Sequence, residues 1–381
     1  MPEPDHPADA PADAPPTRRP LRVDGHLDLA STSLGYDRDL TLDLDALRER
    51  ERRVFGDDDA VRRSPGTAAV TLPAIRDAGV RLCMASVIAR VKTRPDHTGL
   101  PERHDLDYHT PVGAEAYAVS QMQWYRRMHR LGELRLIEHA GDLPALDAHE
   151  QDHAIATVLM LEGCDPIVEP DDAAWWFDQG VRVACLAHYG RGRYAMGTGG
   201  DGPLTDIGKR LVGRLHLAGI ALDITHTADR AVEQALDIHE GAVCATHANC
   251  RALCDNDRQL TDGQIRAVAD RHGVVGVVAF NPMIVNCPIG QRPPRDAVTL
   301  DQLADHVDHV CQVTGSADHV GVGSDLDGGF GVEAIPRGTD SITDLARLGD
   351  TLADRGYADG DVARVMGGNW RRWLAHALPA G

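Results

Sequence analysis

The sequence predicts an α/β protein, specifically a (β/α)8 barrel of the TIM type with long insertions after its first two strands. Eight apolar runs of strand length, rich in Val, Ile and Ala, occur along the 381 residues. Amphipathic stretches of helix length alternate with these runs. Strand–helix alternation implies a parallel sheet, and eight strands fit a closed barrel better than an open sheet.

The eight predicted strands are mostly apolar on both faces, which is typical of parallel strands buried under helices. In chain order they cover residues 21–28, 80–87, 155–162, 181–188, 220–226, 242–247, 274–280 and 319–325. The alternative, a doubly wound open sheet, would carry a glycine-rich phosphate loop after an early strand. The first predicted strand is followed instead by LASTSLG.

Four predicted helices share a beginning at Thr or a Thr-Asp cap and an end at Gly, the residues that favour helix termini. They cover residues 205–218, 227–240, 261–272 and 300–314, and they stop at Gly219, Gly241, Gly273 and Gly315. A further helix of about twenty residues is predicted around residues 119–131, inside the second of two long connections, 30–79 and 88–154.

The domain organisation follows from composition. Residues 1–20 contain seven prolines among Ala and Asp, which predicts a disordered tail, and residues 21–381 are expected to form one barrel domain. The chain has no apolar run of roughly 18 residues and no basic, apolar leader, so we expect a cytoplasmic protein without membrane spans. A net charge of −19 argues against nucleic-acid or anionic-membrane partners, which require a basic face.

Four of the 19 histidines stand apart because each lies at or near the carboxyl end of a predicted strand. They are His26, His188, His226 and His247. The carboxyl ends of barrel strands meet at one mouth, where active sites of this fold lie. The sequence therefore predicts four imidazoles around a single cavity.

Three carboxylates accompany these histidines. Asp28 lies two residues after His26, so both side chains are expected on one face of the strand. Glu162 and Asp325 end the third and eighth predicted strands. A carboxylate at the end of a buried strand is costly unless it is paired or bound to a metal. Imidazoles and carboxylates without Cys suit Zn²⁺, Mn²⁺ or Fe²⁺, and their number suggests two metal ions.

With these residues, the sequence resembles the membrane (renal) dipeptidase family of zinc metallopeptidases, peptidase family M19. The similarity runs from about residue 21 to residue 375. The motifs that carry it are DGHLDLA at 24–30, LEG at 161–163, GIALDITHTA at 219–228, THANCRALCDNDRQLTD at 246–262, VGVGSDLDG at 320–328 and GGNWRRW near the C-terminus.

The resemblance implies two Zn²⁺ ions per chain, with other divalent metals as alternatives. His26 and Asp28 would bind one zinc, Glu162 would bridge both, and His226 and His247 would bind the second. A hydroxide bridging the metals would attack the peptide bond of a small dipeptide, including dipeptides with a D-residue at the C-terminal position. The family's homodimers imply the same assembly here.

The resemblance also implies roles for residues that do not bind metal. His188 would stabilise the oxyanion, and Arg258 would bind the terminal carboxylate of the substrate. The resemblance places Asp325 near the metals, as a proton acceptor or as a partner of the substrate amine. On chemical grounds, Asp325 or Glu162 can take the proton of the hydroxide and pass it to the leaving amine. Tyr189 opens a segment, residues 189–194, that departs from the family pattern and is expected over the pocket mouth with its two Arg and two Tyr.

Two further departures are Leu27, where the family has Asn, and the sequence 248–250 after the histidine of the sixth strand. None of these departures removes a metal ligand. They leave open a related barrel amidohydrolase that acts on another amide, lactone or ester. A third reading, from a different class, is a metal-binding or scaffold protein without catalysis.

Overall fold

The computed structural model describes residues 20–55, 66–92, 103, 105–145, 153–287 and 291–381. It contains all eight predicted strands, most of them shorter than predicted. In chain order, and numbered first to eighth below, they are Val23–Leu27, Leu82–Val87, Ile155–Glu162, Val181–Cys185, Ala221–Asp223, Val243–Cys244, Val275–Val277 and Val320–Val322. The tail predicted for residues 1–20 lies outside the described residues except for Pro20.

The strands form a closed parallel ring. Neighbouring strands pair in parallel from the first strand to the sixth, and the seventh strand pairs in parallel with the eighth. A parallel bridge between Ala245 and Val275 joins the sixth strand to the seventh. The backbone N–H of Asp325 donates to the carbonyl of His26 at 3.3 Å and closes the ring. The predicted (β/α)8 barrel is therefore confirmed.

The amino ends of the strands are filled by the C-terminal helix, Asn369–Ala377. The indole N–H of Trp370 donates to the carbonyl of Val322 at 2.8 Å. A Cβ atom on Gly25 or Gly321 would lie 2.7 or 2.5 Å from the Trp370 ring, so these glycines make room for the indole. The C-terminal helix thus closes the amino end of the barrel, and the carboxyl end stays open for the site.

Side-chain alternation along the third strand shows which residues face the interior. Ala156, Val158 and Met160 belong to the apolar cluster around Trp370, and they are fully buried. Because alternate residues of a strand share a face, Glu162 continues this inward row at the carboxyl end. The barrel interior is thus apolar up to the level of this carboxylate.

The α-helices of the described chain lie mainly between successive strands. They are Leu29–Gly35, Leu44–Phe55, Leu72–Asp77, Pro111–Arg130, Ala173–Asp178, Asp206–Ala218, Asp229–Ile238, Asp262–Asp270, Asn281–Ile284, Leu300–Thr314, Ala346–Asp354, Asp359–Ala363 and Asn369–Ala377. A π-helical turn, Arg364–Gly368, joins the last two.

Three of the predicted helix beginnings are confirmed in detail. The hydroxyls of Thr205, Thr261 and Thr299 each accept a hydrogen bond from the backbone N–H three residues later. Gly219 and Gly315 end their helices in the left-handed conformation, at φ of 78° and 73°. Side-chain capping and a residue that tolerates positive φ therefore set these ends.

The prediction that Gly241 and Gly273 end the other two helices was wrong, because neither glycine forms the end of its helix. The helix Asp229–Ile238 begins after Ala228, without a side-chain cap, and ends before Gly241 is reached. After Asp262–Asp270 the left-handed residue is His272, at φ 55°, and not Gly273. Gly273 is needed for close approach, because a Cβ there would lie 2.3 Å from the carbonyl oxygen of Val243.

The two predicted insertions are confirmed where they are described. The first contains the helices Leu29–Gly35, Leu44–Phe55 and Leu72–Asp77. The second contains two short parallel strands, Arg90–Val91 and Asp107–Tyr108, followed by the twenty-residue helix Pro111–Arg130. A short strand, Leu134–Leu136, then pairs with the start of the third barrel strand.

Candidate metal centre

All nine residues predicted for the site lie at the carboxyl-end mouth of the barrel. The first strand and the residue after it supply His26 and Asp28, and the third strand ends at Glu162. The other six follow the fourth, fifth, sixth and eighth strands; they are His188, Tyr189, His226, His247, Arg258 and Asp325. Residues as distant as 26 and 325 in sequence are therefore brought into one cavity.

Glu162 occupies the middle of this cluster and is 2% exposed. Its Oε1 lies 3.3 Å from Nε2 of both His226 and His247, and 3.4 Å from Nε2 of His188. Its other oxygen, Oε2, lies 3.5 Å from Nε2 of His26. One oxygen of this carboxylate thus faces three imidazoles, and the other faces the imidazole of His26.

Three overlapping sets of side chains place their ligand atoms within 4.8 Å of one another. The sets are His26–Asp28–Glu162, Glu162–His226–His247 and His26–His247–Asp325. Both ring nitrogens of His26 and Oε2 of Glu162 are buried without a hydrogen-bond partner in the described part of the chain. Imidazole nitrogens and carboxylate oxygens that are buried without a hydrogen-bond partner are suitable ligand atoms for a divalent metal such as zinc.

The protonation states of three members of the cluster suit metal binding, whereas Glu162 and Asp28 outweigh the effect of burial and hold the pKa of His26 well above the usual histidine value. Burial holds the pKa values of His226 and His247 well below the usual histidine value, so both rings are neutral. Burial alone would raise the pKa of Glu162, but the neighbouring histidines outweigh it and hold that pKa well below its usual value. Neutral imidazoles and an ionised carboxylate are the forms that ligate metals.

Two other carboxylates of the cluster behave differently. Burial raises the pKa of Asp325 well above its usual value, and burial together with the charge of Glu162 raises the pKa of Asp28. The hydroxyl of Ser86 donates to Asp28 and partly offsets this effect. Three carboxylates close together therefore leave the cavity in need of positive charge.

Hydroxyl groups stand behind two of the imidazoles. Nδ1 of His247 lies 2.9 Å from the hydroxyl oxygen of Thr246, which in turn donates to Oδ2 of Asp223 at 2.6 Å. Nδ1 of His226 lies 3.1 Å from the hydroxyl of Thr198. Such partners orient a metal-ligating imidazole and fix which nitrogen carries its proton.

Two residues of the cluster, three positions beyond the ends of their strands at Asp223 and Val322, have an uncommon backbone conformation. His226 and Asp325 adopt positive φ angles of 62° and 57°, which side-chain-bearing residues rarely do. Departures of this kind concentrate at functional sites, where the fold holds a side chain in a required direction.

Arg258 is a buried cation beside the metal cluster, with an exposure of 6%. Its Nη2 donates to the carbonyl of His247 at 2.8 Å, while Nε and Nη1 have no partner in the described chain. Its guanidinium also contacts the hydroxyl of Tyr189, whose ring packs against His188 and His226. Unused donors on a buried guanidinium fit an anionic group of a ligand.

The segment 189–194 forms only part of the expected pocket rim. Tyr189 and Arg191 line a cleft of about 310 Å³ with His188. Arg193 instead donates to the carbonyls of Ile167 and Val168, and Tyr194 is fully buried. The expectation that both Arg and both Tyr stand over the mouth was therefore wrong, because backbone carbonyls of the preceding loop hold the last two residues.

Several side chains of the site were not anticipated from the sequence. Asp223 offered a signal, since a carboxylate inside the apolar run IALDITH needs a partner. Thr246 and Ser86 gave only the weak signal of a hydroxyl at the end of a predicted strand. Arg90 and Thr198 gave none, because their partners His188 and His226 lie far away in sequence.

Fold and site together define a (β/α)8 barrel with a candidate metal centre at the carboxyl ends of its strands. The family model for membrane dipeptidases, peptidase family M19, matches residues 19–378. The chain belongs to this family. None of the described helices has the length and apolar character needed to span a membrane.

Relatives in this family have modest sequence identity. An uncharacterized dipeptidase of Schizosaccharomyces pombe is 28% identical over 56% of this chain, and a dipeptidase of Aspergillus oryzae is 28% identical over 63%. The chain spans only 51% and 58% of the lengths of these two proteins. An uncharacterized protein in the pqqA 5′ region of Klebsiella pneumoniae is 30% identical over 65% of this chain and 89% of its own length.

Solved structures support the fold. Dipeptidase AC, a metallopeptidase of family M19, has a TM-score of 0.74 at 21% identity and covers 95% of this chain and 100% of its own. A metallopeptidase from Rhodobacter sphaeroides, liganded with a phosphinate mimic of the dipeptide L-Ala-D-Ala, has a TM-score of 0.72 at 20% identity. That match covers 94% of this chain and 99% of the other. At these identities the likeness shows the barrel fold.

Proposed function

We propose that this protein is a metal-dependent dipeptidase that binds two zinc ions and hydrolyses small dipeptides. The observation that carries the proposal is the central position of Glu162. Its Oε1 faces the buried imidazoles of His226 and His247 and its Oε2 faces the buried imidazole of His26, which is the arrangement expected of a carboxylate shared between two metal ions. Membership of the membrane dipeptidase family supports the same reading.

In this proposal, five side chains hold the metals. His26 and Asp28 would hold the first ion, His226 and His247 would hold the second, and Glu162 would be shared between the two. When bound, the two ions supply a water molecule of lowered pKa and polarise the carbonyl of the substrate. The remaining steps are derived from residues of the chain itself.

Asp325 is suited to proton transfer. Burial raises its pKa well above the usual range, so its carboxylate accepts a proton more readily than an exposed aspartate does. It takes the proton from the attacking water and delivers it to the amide nitrogen as the C–N bond breaks. The products of this step are a carboxylic acid and an amine, and transfer of the acid's proton to the amine gives a carboxylate and an ammonium ion, so that both protons of the water are accounted for.

His188 and Arg258 position the substrate and stabilise its charge. Nε2 of His188 points into the cluster, 3.4 Å from Oε1 of Glu162, and is placed to donate to the oxyanion that develops on the carbonyl. Arg258, with two unused donor nitrogens, binds the C-terminal carboxylate, and Tyr189 holds the guanidinium from the side.

The ligand of the Rhodobacter sphaeroides structure supports dipeptides with a C-terminal D-residue as substrates. The proposal is tested with the purified protein and a panel of L,L- and L,D-dipeptides, before and after exhaustive chelation. Hydrolysis that disappears on chelation and returns with Zn²⁺ is expected. Activity on lactones or N-acyl amino acids, with none on any dipeptide, would overturn the dipeptidase and favour a related amidohydrolase.

A further inference from the structure

His188 is held from behind by a fixed arginine. Arg90, in the short strand Arg90–Val91, donates through Nε and Nη2 to the two oxygens of Asp107, at 2.6 and 2.9 Å. Its remaining terminal nitrogen, Nη1, lies 3.2 Å from Nδ1 of His188. Arg90 and Asp107 are 6% and 8% exposed, so the bidentate pair fixes the guanidinium within the protein.

The chemistry of arginine decides the proton position on the ring. A guanidinium has donors only and no acceptor, so Nδ1 of His188 must present its lone pair to Arg90. The single proton of the neutral ring then lies on Nε2, the nitrogen that faces Glu162. His188 therefore has no lone pair free for a metal ion and offers an N–H group to the cavity.

His247 has the opposite arrangement. The hydroxyl proton of Thr246 goes to Asp223, at 2.6 Å, so the Thr246 oxygen can only accept a hydrogen bond from Nδ1–H of His247. Nε2 of His247 is then left with a lone pair directed at the cluster. At the barrel mouth, His188 is therefore arranged as a hydrogen-bond donor and His247 as a metal ligand.

We infer that Arg90, fixed by Asp107, is a positioning residue that makes His188 a hydrogen-bond donor and keeps it from binding metal. The inference rests on the proposed function, because the donated N–H matters where an oxyanion forms. It adds to that function a reason why one strand-end histidine acts on the substrate while its neighbours act on the metals. An anionic partner in place of Arg90 would reverse the tautomer.

The test reads the tautomer directly. Long-range ¹H–¹⁵N correlation spectra are recorded on the full chain, loaded with Zn²⁺ and labelled with ¹⁵N-histidine. The signals of His188 are assigned by their loss in His188→Asn. We expect a neutral ring with the proton on Nε2 and with Nδ1 unprotonated. A ring with its proton on Nδ1, or with both nitrogens protonated, would overturn the inference, whatever the variants do.

Two variants test the role of the arginine. In Arg90→Met we expect the ¹⁵N chemical shift of Nδ1 of His188 to move toward the value of an unprotonated imidazole nitrogen that accepts no hydrogen bond. We expect kcat to fall by about 10- to 100-fold, with KM changed much less. Arg90→Lys keeps a donor and the charge opposite Asp107, so it should recover most of the loss. An unmoved Nδ1 resonance in Arg90→Met contradicts the inference.

Arg193→Met is the matched control. It removes a guanidinium from the loop after His188 that donates to the carbonyls of Ile167 and Val168, away from the pocket mouth, and it should leave the His188 resonances in place. An active dipeptidase whose His188 carries its proton on Nδ1 would overturn this inference alone. The expected tautomer in a protein that hydrolyses no dipeptide would overturn the proposed function and leave the tautomer assignment standing.

Discussion

Nε2 of His26 and Oε2 of Glu162 lie 3.5 Å apart at the barrel mouth, and neither atom has a hydrogen-bond partner in the described chain. A buried polar atom without a partner costs about 1–3 kcal/mol. Both atoms are acceptors in the forms that ligate metals, so a cation between them would remove the cost at both. The geometry of this pair is therefore the simplest reason to expect a metal ion here.

Replacing Arg258 with Met should raise KM for dipeptides by about 10- to 150-fold, the equivalent of a charge-assisted interaction of about 1.5–3 kcal/mol. The reason is the loss of the buried guanidinium whose Nε and Nη1 have no protein partner. Steady-state kinetics with an L,D-dipeptide measure the effect, and kcat should change much less.

The control for this prediction uses the substrate as well as the protein. A dipeptide amide lacks the terminal carboxylate, so Arg258→Met should not weaken its hydrolysis further. Arg251 lies in the same loop, but its guanidinium is already paired with Asp229. Arg251→Met should therefore leave KM unchanged. An equal loss for the dipeptide and its amide would contradict the role given to Arg258.

Thr246→Val should weaken metal binding by about 10- to 100-fold, since the hydroxyl that orients Nδ1 of His247 is lost. Competition between the protein and a chelator measures the affinity. Thr225→Val is the matched control. Thr225 also donates to Asp223, at 2.6 Å, but its hydroxyl accepts from the backbone N–H of His247, at 3.5 Å, rather than orienting the ring. If both variants lose affinity equally, Asp223 acts through general stability and the orientation argument fails.

His239 should make the fold sensitive to mild acid. Burial lowers its pKa from 6.5 to about 4, and Nε2 lies 2.9 Å from the carbonyl of Ile220. A histidine with a lowered folded pKa contributes stability that is complete above pH 6.5 and is lost as the pH falls toward 4. Between pH 7 and pH 5 this loss amounts to about 2 kcal/mol.

Urea unfolding of the wild type and of His239→Gln at the two pH values checks this prediction. Gln keeps an N–H donor for the carbonyl of Ile220 but does not titrate, so the variant should lose less stability on acidification. His153→Gln changes an exposed ring and should behave as the wild type does. Parallel pH profiles for the wild type and His239→Gln would show that His239 does not titrate as described.

The sequence predicts the barrel and the positions of the site well, because both depend on local patterns. Apolar runs indicate the strands, and the fold directs every strand end to one mouth. Thus the sequence alone assigns His26 and Asp325, at opposite ends of the chain, to one cavity. Two strands end at Asp223 and Val322, three residues before the predicted ends, because the sequence pattern continues beyond the point where strand pairing stops.

The partners of the site residues could not be predicted in the same way. Arg90 reaches His188 from an insertion, and Thr198 reaches His226 from the loop after the fourth strand. These contacts depend on how loops fold over the mouth, and no spacing rule describes them. The same limit explains the error at Arg193, whose guanidinium is taken up by backbone carbonyls of another loop.

The most direct test of the central claim is the metal content of the full chain after equilibration with Zn²⁺, measured by elemental mass spectrometry. We expect two zinc ions per chain for the wild type and fewer than two for Glu162→Gln. Glu138→Gln, at a carboxylate paired with Arg182 away from the site, should keep both ions. A wild type that binds one ion or none, or that stays fully active after exhaustive chelation, would contradict the proposed two-metal centre.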